Sequence, residues 1–580
     1  VDINNFEGNA DVLATYNKQL NNFNISVSAG GNSLYRKGSS ISNSSKPSTG
    51  LIVPEVYTIS NIKSGSLNYG SSWYQKAIYS LYGMANLSYN SMIYLDLTAR
   101  NDWSSTLPKE NQSYFYPSAS LSVLLNEMLE VGDMFDLLKI RGGWAKVGND
   151  ANPYQLYPSY GNAGQWGDAT RLSKSGTILT PDLKPEEATS WEIGTDMRIA
   201  RDRIRIEGTY YSVENRNQII RNIPIASSSG FSSVNINAGL IESKGWEFLF
   251  GGTPIRNNNL VWDIDMNFSR NRTTLVEISD GIDFIEFWRD AKGGAKTYVG
   301  DDIGDIYDAT LLVVEDPNSP YYGYPIVGGE NLRWQDDPSQ AFMSKIGNYN
   351  PDFLLGLQSG ISYKGFTLNM TFDWRKGGQF VSQTHRYMSE NKNSQHWLDQ
   401  MVNPGDRTGQ ELRDWLIENE ETLILNGFHV IGGPTSEYGG FPEGYSGVIV
   451  NDGAFIPGVI QNSDGTYTEN LGEEGTMFVP YIILYPWSFT KSSTFDADFV
   501  KLREVSLTYQ IPSDFAHRYG FQDITVSIYS RNINLWTKAK IGVDPERAFQ
   551  AEASGFKQGI ERYNLEPWVM PIGFKFHLTF

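Results

Sequence analysis

The residues that could do covalent chemistry are few in this sequence, and their spacing argues against it. Cysteine is absent, which excludes a thiol nucleophile, a disulfide framework and a Cys-ligated metal. His385, His396, His429, His517 and His577 are scattered with no metal-ligand spacing. Neither a phosphate-cradling glycine loop nor a Gly-x-Ser-x-Gly elbow occurs. Adjacent carboxylates such as Glu186-Glu187 open an extended segment, where neighbours point to opposite faces and do not make a glycosidase pair. The chain is therefore expected not to be an enzyme and to hold no cofactor or metal. Asp301, Asp302, Asp305 and Asp308 offer the oxygen ligands that Ca²⁺ takes, but not at EF-hand spacing, and a solvated acidic loop is the simpler reading.

Binding chemistry is better represented. Segment 277–352 contains Trp288, Tyr298 and Trp334, and segment 377–495 contains Trp397, Tyr438 and Trp487, each among further tyrosines. Flat aromatic faces stack on sugar rings while Asp and Asn accept hydroxyl hydrogen bonds, so these six are candidate substrate contacts. The same rings could instead pack the loops together, form a membrane girdle or bury against a partner, and a peptide would use them as readily as a glycan. Gln410–Glu421 reads as a short helix with Leu412, Trp415 and Leu416 on one face, either loop decoration or a docking element.

The elements that must position these residues are strands. With 580 residues and a net charge of −19, the chain is a poor ligand for nucleic acid, and 13% aromatic content is far too much for disorder. The longest apolar run, Phe478–Trp487, is broken by Pro480 and Pro486 and falls short of the ~20 residues a membrane helix needs. What recurs is strict period-2 alternation. Trp191, Ile193, Thr195, Met197 and Ile199 oppose Glu192, Gly194, Asp196 and Arg198; Trp262, Ile264, Met266 and Phe268 oppose Asp263, Asp265 and Asn267. Phe366, Leu368, Met370, Phe372 and Trp374 oppose Thr367, Asn369, Thr371 and Asp373. Each run has about the ~9–11 residues of a tilted membrane strand.

Fifteen such strands are predicted, near 10–20, 23–35, 74–89, 91–100, 114–125, 136–148, 186–200, 203–217, 238–252, 259–276, 353–364, 366–376, 496–511, 522–535 and 569–580. Short links alternate with long ones without exception, the longest being 277–352 and 377–495. A meander with tight turns at one end and long loops at the other is the pattern of an outer-membrane barrel. Asp196, Arg198, Asp263, Asp265 and Asp373 then belong on a wet lumen face, because an Arg facing lipid at the midplane costs ~2–4 kcal/mol. A soluble β-sandwich that binds or cleaves glycans is the competing reading, and it predicts solubility without detergent. An odd strand number with an open edge does not suit a bilayer, so either further strands come from another segment or this is part of a longer chain.

Several motifs carry a resemblance. Lys501-Leu-Arg-Glu-Val-Ser-Leu-Thr-Tyr-Gln-Ile-Pro512, Arg100-Asn-Asp-Trp-Ser-Ser105 with Tyr116-Pro-Ser118, and Leu138-Lys-Ile-Arg-Gly-Gly-Trp144 with Val147-Gly-Asn149 resemble SusC/RagA-type TonB-dependent transporters of the Bacteroidetes. So do Leu183-Lys-Pro-Glu186 with Trp191-Glu-Ile-Gly194, Tyr210-Tyr211, Asn237-Ala-Gly239 and Lys244-Gly245, in order along the chain. The resemblance implies an all-β transmembrane antiparallel barrel of about 22 strands, of which these fifteen are the last, with the plug and first strands missing. It further implies outer-membrane import of oligosaccharides or oligopeptides, energised by TonB through the missing plug. A SusD-like lipoprotein would act as lid, and the transporter–lid pair would form a dimer. Segments 277–352 and 377–495 would be extracellular loops. A non-transporting barrel, serving as adhesin or scaffold of a larger surface complex, is the alternative.

Overall fold

The computed structural model describes all residues except 47–49, 130–133, 226, 280, 291, 325, 329–332, 341, 391–410, 412–448, 451–452, 455–458, 470–489, 550–557 and 564–567. Alternation of side-chain character is realised as fifteen long strands: Asp2–Leu20, Phe23–Ser45, Leu67–Tyr89, Ile93–Ser104, Ser113–Leu124, Phe135–Asn149, Glu186–Ile199, Ile204–Pro224, Ser233–Arg256, Leu260–Glu277, Phe353–Tyr363, Phe366–Lys376, Phe499–Gln510, Asp523–Thr537 and Ile572–Thr579. Their order in the sheet is their order in the chain. No helix among the described residues is long and apolar enough to cross a membrane.

Turn chemistry sets the register. Leu20 pairs with Phe23 across Asn21-Asn22, and Tyr363 with Phe366 across Lys364-Gly365. Lys364 and Gly365 both have positive φ, as the two-residue turn that follows strand twist demands. Asn21 and Asn90 also take the left-handed conformation, which asparagine tolerates better than most residues. Several strands outrun their prediction on the long-loop side. Phe23–Ser45 stays paired with Leu67–Tyr89 along its whole length, down to Ser45 opposite Leu67. Residues 36–45 of the extra stretch are rich in Ser and have no apolar alternation, and the Ser40 and Ser72 hydroxyls bond each other across the ribbon at 2.8 Å.

By compactness the chain divides into one unit of Val1–Phe248 with Thr273–Asp283 and another of Leu249–Arg272 with Phe284–Phe580. In the first, residues paired across strands share a face. Leu20, Phe23, Tyr89, Ile93, Val123 and Ile140 form one continuous apolar row, and Thr15 and Ser28, then Asn86, Asp96 and Ser120, lie on the reverse. In the second, Phe268, Leu355 and Trp374 line one face, and Asn267, Gly356 and Asp373 the other. The apolar face is bare: exposure runs from 43% at Trp144 through 55% at Ile193 to 71% at Phe574. In water such a surface would be an association liability; against acyl chains it is the stable arrangement.

The described parts of the long links of the second unit form small sheets of their own. Phe284–Asp290, Gly293–Tyr298, Asp305–Asp308 and Ser344–Asn348 make a four-stranded sheet. Gln379–Ser382 pairs antiparallel with Thr494–Asp496 and parallel with Ile560–Glu561. Trp288, Ala295, Ile306, Tyr349, Val381 and Ile560 share one buried cluster, so three different links between strands close over a common core. A second cluster joins Phe380 and Ala497 to Ala539, Ile541, Val543 and Ala548.

Candidate functional site

On the polar face the charged side chains form ladders. Asp196 accepts from Lys139 at 3.1 Å and lies 3.5 Å from Arg141, which also reaches Glu192 at 3.3 Å and donates to Thr209 at 2.7 Å. Arg198 pairs with Asp202 at 3.6 Å, beside the turn. Asp263 accepts the Thr253 hydroxyl at 2.6 Å, and Asp265 is paired with Gln358 on the same face. Asp373 binds Arg503, whose other nitrogens grip Glu546 in a two-pronged pair at 2.6 Å each. Asp196, Arg198 and Asp373 therefore each meet an opposite charge from another strand or turn, and Asp263 meets a hydroxyl. Held charges of this kind present a fixed surface to a passing polar solute.

Several resemblance motifs turn out to be clamps at strand ends. Asp102 takes Arg100 Nε at 2.7 Å and the Tyr116 hydroxyl at 2.6 Å. The Asn237 side chain accepts from the Lys184 backbone at 2.8 Å and donates to the carbonyls of Lys184 and Asn217 at 2.9 and 2.8 Å. Glu186 accepts from Asn149 and from the Ile219 backbone. Gly239 has φ +59, and a Cβ there would lie 1.7 Å from the Glu277 carbonyl oxygen, so no other residue fits without moving the backbone.

The six aromatic candidates part company. Trp288 is 5% exposed and donates its indole N–H to the Gln558 carbonyl at 2.9 Å; it is a core residue of the loop domain, with no free face for a sugar. Tyr298 is half-buried beside Phe284 and Tyr307. Trp334 sits on the short strand Arg333–Trp334, paired with Ile326–Gly328. Trp397, Tyr438 and Trp487 lie outside the described residues, as does nearly all of the helix expected over Gln410–Glu421. A helix not expected from the sequence, Gln383–Glu390, buries His385 and Arg386.

The acidic cluster disperses into separate hydrogen-bond tasks. Asp305 pairs with Lys345 and Asn348 at 2.6 and 2.7 Å, Asp301 accepts from Tyr307 at 3.3 Å, and Asp308 accepts the backbone N–H groups of Ala309 and Lys491 at 2.8 Å each. No grouping of three metal-ligating side chains occurs among the described residues. Lys296 stands out nearby. It is 2% exposed, its ammonium lies 4.5–5.1 Å from the ring centres of Phe284, Tyr298, Tyr307 and Phe342, and it donates to the Tyr298 hydroxyl at 2.6 Å. Burial, reinforced by Arg289, pulls its pKa down to about 8.

Asp308 makes a pH prediction. Burial pushes its carboxyl up to about 6, against the opposing pull of three backbone N–H groups and Arg386. A carboxyl raised in the folded state binds its proton there before it does in the unfolded chain. The loop domain should therefore gain stability as the pH falls from above 6 toward 4. Calorimetric melting of the loop transition between pH 7 and 5 checks this: a rising midpoint that Asp308→Asn flattens is expected, and a flat wild-type profile would contradict it.

Residues 2–394 match the family model described as TonB dependent receptor-like, beta-barrel. Among curated proteins, the chain is 24% identical over 514 residues to TonB-dependent receptor P3 of Formosa agariphila, covering 84% of this chain and 44% of that one. It is likewise 24% identical over 531 residues to TonB-dependent receptor P26 of the same organism, covering 86% and 47%. The chain thus spans about half the length of the curated relatives it matches. Among solved structures, the RagAB peptide transporter superposes with a TM-score of 0.69 at 19% identity, over 100% of this chain and 56% of that chain. The RagAB peptide importer in its closed-closed state gives 0.70 at 18%, with the same coverage.

Proposed function

Because this chain belongs to the TonB dependent receptor-like β-barrel family of the outer membrane, we propose that it forms part of the wall of an importer for oligosaccharides or oligopeptides. The family consists of receptors and transporters, and the chain is not an enzyme. The observation that carries the proposal is the segregation of faces: along the strands one side is apolar and bare, and the other bears ion pairs and hydroxyls. An apolar exterior anchors the wall in lipid, and the polar side, including Asp196, Arg198, Asp263, Asp265 and Asp373, then lines a wet lumen.

In this reading a SusD-like lipoprotein closes the outer mouth, and a plug segment elsewhere in the full-length protein takes the pull of TonB. Two transporter–lid pairs associate as a dimer. Segments 277–352 and 377–495 face the medium, where Tyr298, Trp334, Trp397, Tyr438 and Trp487 are the proposed aromatic contacts for substrate. The RagAB structures, described as peptide importers, favour peptides as one substrate class.

Uptake by a deletion strain tests the proposal. Loss of growth on particular oligopeptides or oligosaccharides, restored by the full-length gene and abolished by a protonophore, is the expected result. Uptake unchanged across a broad panel would sink the importer and leave a scaffold or adhesin.

A further inference from the structure

We propose that the groove around Arg100 on the polar face is a subsite for a carboxylate carried on an oligomeric substrate; this rests on the import reading and specifies its chemistry. The groove has a volume of about 410 Å³, within the ~300–1,000 Å³ range of small-ligand sites, and its walls are Tyr82, Met84, Thr98, Arg100, Tyr116 and Val147. Arg100 is the eighth residue of Ile93–Ser104, counted from the short-turn end. At ~3.3 Å per residue on a tilted strand it stands roughly 20 Å above that turn, near the outer rim of an apolar band ~25 Å tall. A solute entering from the long-loop side meets it early.

The guanidinium is held in advance. Its Nε donates to Asp102 at 2.7 Å, its Nη2 donates to Ser80 at 2.8 Å, and it lies 5.7 Å from the Tyr82 ring centre. Asp102 is nearly buried, with its second oxygen taken by the Tyr116 hydroxyl. The bonds to Asp102 and Ser80 engage Nε and Nη2. An arginine already fixed by its neighbours loses little freedom on binding, and its planar fork fits a carboxylate edge.

The hydroxyls of Tyr82 and Tyr116 donate away, to Asp11 and Asp102, and those of Thr98 and Ser118 bond each other at 2.6 Å. Their oxygens keep lone pairs that accept from any polar solute, so the group that favours an anion over a neutral hydroxyl is the Arg100 guanidinium, whose charge-assisted donors fit a carboxylate. Acidic peptides and uronate-bearing oligosaccharides share that group.

Binding of both to the purified full-length protein tests the subsite: an acidic oligopeptide against its amide, and a uronate oligosaccharide against its methyl ester. The acid form should bind about tenfold or more tightly than its neutral counterpart in at least one arm, and that arm identifies the source. Arg100→Gln should erase the difference, Arg100→Lys should retain part of it, and Val147→Trp, which fills the groove without touching the Asp102 clamp, should weaken acid and neutral forms alike. Equal binding of acid and neutral forms by the wild type, or discrimination that survives Arg100→Gln, overturns the subsite. If Arg100→Gln does not fold, the wild-type comparison and Val147→Trp still separate a subsite from a bare groove. Cellular uptake with no preference for acid sinks the subsite alone; discrimination in the purified protein with no uptake of anything by cells sinks the import reading instead.

Discussion

Replacing Ile193 by arginine should keep the protein out of the outer membrane, whereas an arginine at Ser120 should be tolerated. Ile193 is 55% exposed on the apolar face of Glu186–Ile199, six residues from the short turn and so near the middle of the hydrocarbon band. An arginine there faces acyl chains and costs ~2–4 kcal/mol. Ser120 is on the opposite face, with its hydroxyl 3.5 Å from an Asp96 oxygen, so a new guanidinium meets a carboxylate and water. The check is the amount of heat-modifiable, folded barrel in outer-membrane fractions. Ile193→Arg should fall several-fold below wild type and Ser120→Arg should match it. If the order reversed, the two faces would be assigned backwards and the lumen reading would go with them. If neither substitution mattered, the sheet would not be in lipid at all.

That pair of substitutions also marks what the sequence made legible. A bilayer demands sidedness from every residue of a strand, so Trp191, Ile193 and Met197 could be assigned to one face from alternation alone, and all fifteen strands fell where alternation placed them. Where the demand stops, so did the reading. Residues 36–45 are strand, yet their run of Ser with Gly38 and Asn43 carries no period, because outside a bilayer either face of a ribbon can be wet. The loop core was invisible for a different reason. Trp288, Val381 and Ile560 touch only because distant links fold together, and no local pattern encodes that. Composition singled out Trp288 as a binding residue; burial made it a pillar. Arg100, Asp102 and Tyr116 were marked by the family resemblance, which did not indicate that two of them fix the third.

Lys501→Ala should release the link 538–571 from the sheet and cost about 3–5 kcal/mol, the penalty for removing one partner of a buried ion pair. Lys501 is fully buried, with its ammonium 2.6 Å from Asp544 and 2.7 Å from Glu546. Glu546 is shared with Arg503, which also binds Asp373 on the neighbouring strand. Burial alone would raise the Glu546 carboxyl, but Arg503 and Lys501 outweigh it and hold its pKa at about 2. Alanine at 501 leaves Asp544, 7% exposed, facing an empty hole with its charge uncompensated. Lys501→Met with Asp544→Asn removes both charges while keeping the volume, and should recover most of the loss. Protease cleavage within 538–549, followed by mass spectrometry, separates the two variants. A depressed carboxyl also gives the pH dependence its sign. The contribution of Glu546 is complete above its ordinary value near 4.5 and is lost as the pH falls toward 2. Wild type should therefore open this link in acid, while Glu546→Gln, already weakened, should show no further change over that interval. Equal cleavage of Lys501→Ala and wild type at neutral pH would mean that the link is pinned by its apolar cluster of Phe380, Ala497 and Val543 rather than by charge.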